Sequence, residues 1–180
     1  MGTIIRPDML KNALGAKLAA AAAQIAALHE AEEPRLTPHL NPRESIAACM
    51  MHMRSVHPIA DAFGKAQAGD LVFNSWYETW RAGLAKTDLA LWDELLHPDR
   101  AQREHGHGAE LIEDEISVAA DPSIITHPFQ RSSVPEVPKR RVRFAAHADR
   151  PASDVCNDYL RLARRFVDDF LRSNERFLPS

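Results

Sequence analysis

Cysteine is nearly absent. Two occur in 180 residues, Cys49 and Cys156, and with no Cys-x-x-Cys pair the disulfide-framework and zinc-ribbon classes are excluded. Each stands in an apolar helical pattern, where a free thiol is expected to act as a small buried hydrophobe. Long apolar runs are also missing. None reaches eighteen residues, and the alanine stretch Ala19 to Ala23 sits between Lys17 and Gln24 in an amphipathic pattern, so no membrane association is expected. The first residues lack a basic region followed by an apolar stretch and a small-residue cleavage site, which makes the cytoplasm the expected compartment. Gly2 follows Met1, but Arg6 occupies the position where N-myristoylation wants Ser or Thr.

What is present is ordinary globular material: 45% hydrophobic and 26% charged residues, with a formal net charge of −3. That is enough for one core, and a chain of this length is expected to fold as a single domain over residues 1–180. Leu10, Leu14, Leu18, Ile25 and Leu28 keep helical spacing from Arg6 to Glu32, with Pro7 and Asp8 suited to a first turn. After a linker punctuated by Pro34, Pro38 and Pro42, the run Asn41-Pro42-Arg43-Glu44 reads as a capped helix start. Ile46, Cys49, Met50 and Met53 form its stripe, continuing to Ile59, Ala62 and Phe63 beyond Pro58, which should bend the rod; Gly64 and Gly69 mark its end.

A third segment carries Phe73, Trp76, Tyr77, Trp80 and Leu84. At helical spacing such a stripe reads as core rather than as a platform for nucleobases. Thr87 or Asp88 can cap a continuation with Leu89, Trp92, Leu95 and Leu96 before Pro98 interrupts it. From Gly106 to Pro151 prolines break most possible helices, and Ser123 to Thr126 and Val142 to Ala145 resemble short extended pieces, an irregular insertion with room for a hairpin. Ser153 and Asp154 open a last helix along Val155, Tyr159, Leu162, Phe166 and Phe170. Four long amphipathic segments predict an all-α fold, an antiparallel four-helix bundle, with Ile46, Met50, Phe73, Trp76, Trp80, Trp92, Leu162 and Phe166 in its core.

Charge is unevenly spread. Glu104 to Asp121 holds six acids and no Lys or Arg, whereas Lys139 to Arg165 holds eight bases against three acids. The two stretches can neutralise each other across the fold. Alternatively Arg140, Arg141 and Arg143 lie outermost and contact an RNA phosphate backbone. Histidines cluster as well: His105, His107 and the carboxylate of Glu110 are a conceivable metal set, but neither a His-Glu-x-x-His nor a Cys-x-x-Cys frame supports it, and no metal or other cofactor is expected.

Arg100-Ala101-Gln102-Arg103-Glu104-His105 separates an arginine and a histidine by an offset of five, which puts them on adjacent helix faces, able to converge across a dimer or a bent turn. Imidazole can take the proton of a ribose 2′-hydroxyl, and guanidinium can balance charge on pentavalent phosphorus without a metal. This motif, together with Phe73-Asn74-Ser75-Trp76-Tyr77-Glu78-Thr79-Trp80 and Leu91-Trp92-Asp93-Glu94-Leu95 before it, resembles the HEPN superfamily over about residues 40–110. The resemblance implies a helical fold, a signature of Arg100 and His105, and metal-independent endoribonuclease activity of a toxin or defence protein with a possible antitoxin partner. It further implies a homodimer; since two-step phosphoryl chemistry wants both a base and an acid at one phosphate, two-fold pairing is expected to bring both copies of Arg100 and His105 to one axis, in a cleft bordered by Arg140, Arg141 and Arg143. Where active members carry Asn, Asp or His directly after the arginine, this chain has Ala101, and Pro98 lies two residues before Arg100. A non-catalytic binding or scaffold protein on the same bundle is the alternative.

Overall fold

The computed structural model describes residues 7–32, 41–97, 110–119 and 136–174. These form six α-helices and one two-stranded antiparallel sheet, in the order α1 (Pro7–Glu32), α2 (Pro42–Arg54), α3 (Val56–Ala68), α4 (Asp70–Ala82), α5 (Lys86–Leu96), β1 (Leu111–Ala119), β2 (Glu136–Phe144) and α6 (Ala152–Asn174). The protein is thus mainly helical. No described helix is long and apolar enough to cross a membrane.

Two of the expected long segments are each divided into two helices, for local reasons. Pro58 has no N–H to give the carbonyl of Arg54, and its ring crowds that carbonyl. The helix accordingly stops there: Ser55 closes α2 by bonding back to Met51, its hydroxyl donates to His52 O at 2.6 Å, and α3 restarts at Val56. The start of α2 follows the expected capping chemistry. Asn41 Oδ1 accepts from Arg43 N at 3.1 Å, and the Asn41 amide donates to Glu44 at 3.0 Å. Between α4 and α5, Ala85 rather than Thr87 or Asp88 occupies the N-cap position. Asp88 instead sits in the first turn of α5 and reaches Arg161 of α6 at 2.8 Å. Gly64 does not end a helix either. It is buried within α3, where it lets Phe73 of α4 approach, and the chain turns at Gly69, whose φ of +86° favours glycine.

The core gathers around α6, which packs against α1, α2, α3, α5 and β2. Val155, Tyr159, Leu162, Phe166 and Phe170 are all buried along one stripe, while Arg161, Arg164, Arg165 and Asp168 are exposed. Of the eight residues expected in the core, seven are buried and Trp76 is partly buried against them. His57 adds a half-buried polar ring to this set, 4.6 Å from the ring of Tyr77. Burial pushes its imidazole below the ordinary range, so it is a neutral packing group at physiological pH. Cys49 and Cys156 are buried free thiols. The neighbouring Cys49 sulfur and then burial raise the Cys156 thiol, which keeps it protonated and inert.

The region from Gly106 to Pro151 is more regular than expected where it is described. β1 and β2 pair over nine residues each, from Leu111 opposite Phe144 to Ala119 opposite Glu136. The expected extended piece at Val142 lies within β2, whereas Ser123 to Thr126 falls outside the described residues. Pro138 does not break β2, because a strand with a single neighbour can direct a missing donor away from its partner.

One buried carboxyl joins the end of α1 to the start of α6. Ser153 donates its hydroxyl to Glu32 Oε2 at 2.6 Å, and the Glu32 Oε1 atom is buried without a hydrogen-bond partner among the described residues. Burial raises this carboxyl above its ordinary value, outweighing the two Ser153 hydrogen bonds. A raised folded value means that Glu32 adds stability below the ordinary carboxylate range and loses it as pH rises through the raised value. Glu32→Gln keeps an acceptor for Ser153 and removes the charge. Denaturant unfolding at pH 4 and pH 8 should therefore show the variant gaining on the native protein at the higher pH. A relative loss at pH 8 would mean that the ionised carboxylate is the favoured partner of the α6 terminus.

Candidate functional site

Polar groups converge where α5 ends. Trp92 and Leu95 fix this helix in the core, and Asp88 fixes its first turn through Arg161, whose hydrogen bond lowers the Asp88 carboxyl below the usual range. At the C-terminal end, His97 N donates to Asp93 O at 2.8 Å, and Arg54 Nε, from the last residue of α2, donates to Leu95 O at 2.7 Å. Carbonyls that lack partners within the helix are thereby satisfied.

Glu94, in the last turn of α5, is the centre of the cluster. Its Oε2 lies 2.9 Å from His147 Nε2, in the short 3-10 turn Ala145–His147 that follows β2. Tyr159 of α6 lies near the same carboxylate, and burial followed by the Glu94 charge raises its phenol, which stays protonated. The hydrogen bond with Glu94 raises the His147 imidazole and outweighs burial. The Glu94 carboxylate thus favours the charged form of the His147 imidazole. Just beyond it, Ala145 N donates to Glu110 O at 2.8 Å, so the residue that leads into β1 is tied to the same turn.

Arg100 and His105 lie outside the described residues, as do Pro98, Ala101 and His107. Glu110 is exposed, and among the described residues no three metal-ligating side chains gather.

The three arginines expected to line an RNA surface all lie in β2. In the register Arg140 is opposite Glu115, Arg141 is opposite Asp114, and Arg143 is opposite Ile112. Arg141 is half-buried. Arg143 pairs with Asp114, diagonally across the ladder, and donates to Ala148 O at 2.8 Å, with only 20% of its side chain exposed. On the other strand Glu113 meets Arg43 of α2 at 3.0 Å. Between the acidic and basic stretches, Asp114 and Arg143 therefore neutralise each other.

The tryptophans are structural. Trp92 Nε1 donates to the Tyr77 hydroxyl at 2.9 Å, Trp80 Nε1 to Asp169 at 3.0 Å, and Trp76 Nε1 to Ser173 at 2.9 Å. Trp76 and Trp80 edge an open 320 Å³ depression between α4 and α6, lined also by Thr79, Asp169, Arg172 and Ser173. Their indole donors are already used.

Glu94, His147 and Tyr159 carried no signal in the sequence as a site. His147 stands 53 residues from Glu94, and only the path of the sheet back onto α5 brings them together. No known family model, curated protein or solved structure matches the chain.

Proposed function

We propose that this chain is a HEPN-like, metal-independent endoribonuclease of toxin or defence type, acting as a homodimer with Arg100 and His105 as the groups that meet the phosphate. In the same reading the six helices follow an antiparallel four-helix plan, with α2–α3 and α4–α5 each counted as one broken rod. The observation that carries the proposal is the six-residue run Arg100-Ala101-Gln102-Arg103-Glu104-His105, an arginine and a histidine five positions apart, after a Trp-bearing helix whose end is pinned by Arg54 and Glu94. A fixed helix end supports positional accuracy in whatever follows it, and misplacement by about 1 Å can cost on the order of 10²-fold in rate.

In this mechanism one His105 takes the 2′-hydroxyl proton, the 2′-oxygen attacks phosphorus, and the 5′-oxygen leaves with a proton from the second subunit's imidazole. Arg100 balances the charge on the phosphoryl oxygens. The products are a 2′,3′-cyclic phosphate and a 5′-hydroxyl. Pairing of two subunits supplies both an acid and a base from one histidine per chain, and a cognate antitoxin would act by covering that axis.

The test is cleavage of mixed RNA by the purified protein in excess EDTA. Fragments ending in 2′,3′-cyclic phosphate should form, and His105→Ala and Arg100→Ala should each abolish them. Intact RNA after incubation with the native protein would overturn the enzymatic reading, and cleavage that EDTA stops would move the chemistry to a metal. The alternative, a non-catalytic binding or scaffold protein, is favoured by the commitment of Arg143 to Asp114 and Ala148 O, which leaves less free positive charge for phosphate. It predicts RNA or protein binding without cleavage.

A further inference from the structure

α4 is held on both flanks and bare between them. On one flank the indoles of Trp76 and Trp80 reach Ser173 and Asp169 of α6, and on the other Arg81 holds Asp93 of α5 at 2.7 Å. Between the flanks Leu71, Ser75, Glu78, Thr79 and Ala82 are exposed. Leu71, at 86%, is the most exposed large hydrophobic residue among those described. Positions seven apart lie on one side of a helix. Leu71 and Glu78 therefore share the edge towards α5, Ser75 and Ala82 the midline, and Val72 and Thr79 the edge towards α6. Beyond the α6 edge the surface is concave: Ala68, Val72, Trp76 and Phe170 line an apolar slot, which joins at Trp76 and Ser173 the open depression containing Arg172. So open a depression would bury a small molecule poorly. An exposed leucine beside an apolar slot marks a contact with protein instead.

We propose that this face docks a second copy of the chain, with the two α4 helices parallel and side by side about a two-fold axis that runs along them. The pattern of the face supplies the occupant. Rotation about that axis lays the α5 edge of one copy on the α6 edge of the other, so each Leu71 enters the slot beside Val72 of the partner subunit. One to two turns further along, the same rotation sets Glu78 against Arg172 of the partner subunit. These are the outermost charges of the face, of opposite sign and on opposite edges, with 67% and 72% of their side chains exposed. Their present commitments are loose: Glu78 reaches Arg81 at 3.5 Å, and Arg172 reaches Asp169, three residues back on its own helix, at 3.1 Å. Exposed pairs of this kind contribute little and exchange readily for another charge. Both new contacts occur twice, because the patch is self-complementary. Ser75 and Ala82 on the midline are small enough to let the two backbones approach. The pairing is built from described residues and stands apart from the ribonuclease reading, whose dimer axis lies at Arg100 and His105.

Sedimentation velocity in the micromolar range should find the native protein as a dimer. Leu71→Asp alters an exposed position and should leave the helical circular dichroism intact, yet raise the dimer dissociation constant roughly thirtyfold or more, as expected for an apolar anchor. Glu78→Arg and Arg172→Glu should each weaken the dimer by about fivefold through like-charge contact, and the double variant, which swaps the two charges, should return to within about twofold of the native protein. Ser75→Cys and Ala82→Cys should each link two copies by a disulfide in the presence of oxidised glutathione, since only a parallel pair sets both positions against themselves. A native protein that stays monomeric across the micromolar range would overturn the pairing, and a monomer that melts earlier as Leu71→Asp would place a segment of its own chain on the face. A dimer unmoved by Leu71→Asp, or a charge swap that restores nothing, would overturn it equally. RNA cleavage in EDTA is a separate readout on the same samples: its absence would remove the ribonuclease reading alone, and sedimentation would still decide this interface.

Discussion

Phe166→Ala should cost about 3–5 kcal/mol of folding stability, the range for removing a fully buried phenyl ring. Phe166 has no exposed surface and touches rings from three other helices: His57 at 5.7 Å on α3, Trp76, Tyr77 and Trp80 at 5.8, 6.1 and 5.1 Å on α4, and Trp92 at 5.1 Å on α5. Tilted and edge-on pairs of this kind add about 0.5–1.5 kcal/mol each beyond area burial, though not additively when they share one ring. Since a domain is stable by only about 5–15 kcal/mol, the variant should sit near its unfolding threshold. Phe166→Met fills nearly the same volume with a flexible thioether and should stay under about 1.5 kcal/mol. All three tryptophans contact Phe166, so fluorescence-monitored urea unfolding reports on the site being altered. A loss below 1.5 kcal/mol for Phe166→Ala would show that α6 does not organise the aromatic core as described.

This core was the most legible part of the chain. Apolar residues three and four apart already singled out Phe73, Trp80, Trp92, Leu162 and Phe166, because burying one helix stripe demands that spacing whatever the partner. The bend near Pro58 followed from a missing donor and a ring clash, both local. Partner choice was not local. Asp88 looked like a cap from its neighbours and proved to be the α5 anchor for Arg161, 73 residues away. β1 was hidden by its charge: Leu111-Ile112-Glu113-Asp114-Glu115-Ile116-Ser117-Val118 reads as an acidic loop, although Ile112, Ile116 and Val118 alternate as a strand requires. In β2, Arg141 and Arg140 stand in register against Asp114 and Glu115, and Arg143 pairs with Asp114. The opposed charge blocks were therefore visible before folding, and their pairing depended on a register the sequence does not print. The motif Arg100 to His105 was legible as chemistry. Glu94, His147 and Tyr159 come from three separate elements and became a cluster only in three dimensions.

Gly64→Ala should destabilise the protein by about 1–3 kcal/mol, the usual cost of overpacking a filled core, even though alanine is the better helix former by about 1 kcal/mol. A Cβ at position 64 would come within 2.3 Å of Phe73 Cδ2 and 3.2 Å of its Cγ. The ring cannot simply swing aside. It lies stacked on Tyr77 with centroids 6.2 Å apart, edge-on to Phe170 at 6.0 Å, and 5.8 Å from Trp76. α3 and α4 must then separate, or Phe73 must leave its rotamer and disturb three partners. The interaction is specific to that ring, so Phe73→Leu, costly alone because it removes buried aromatic surface, should make Gly64→Ala nearly neutral or stabilising. A double-mutant cycle on unfolding free energies isolates the coupling, expected at about 1–3 kcal/mol in favour of the pair. Additive losses would place the α3–α4 contact elsewhere. A Gly64→Ala protein more stable than the native one would show that α3 and α4 do not approach closely enough to require glycine.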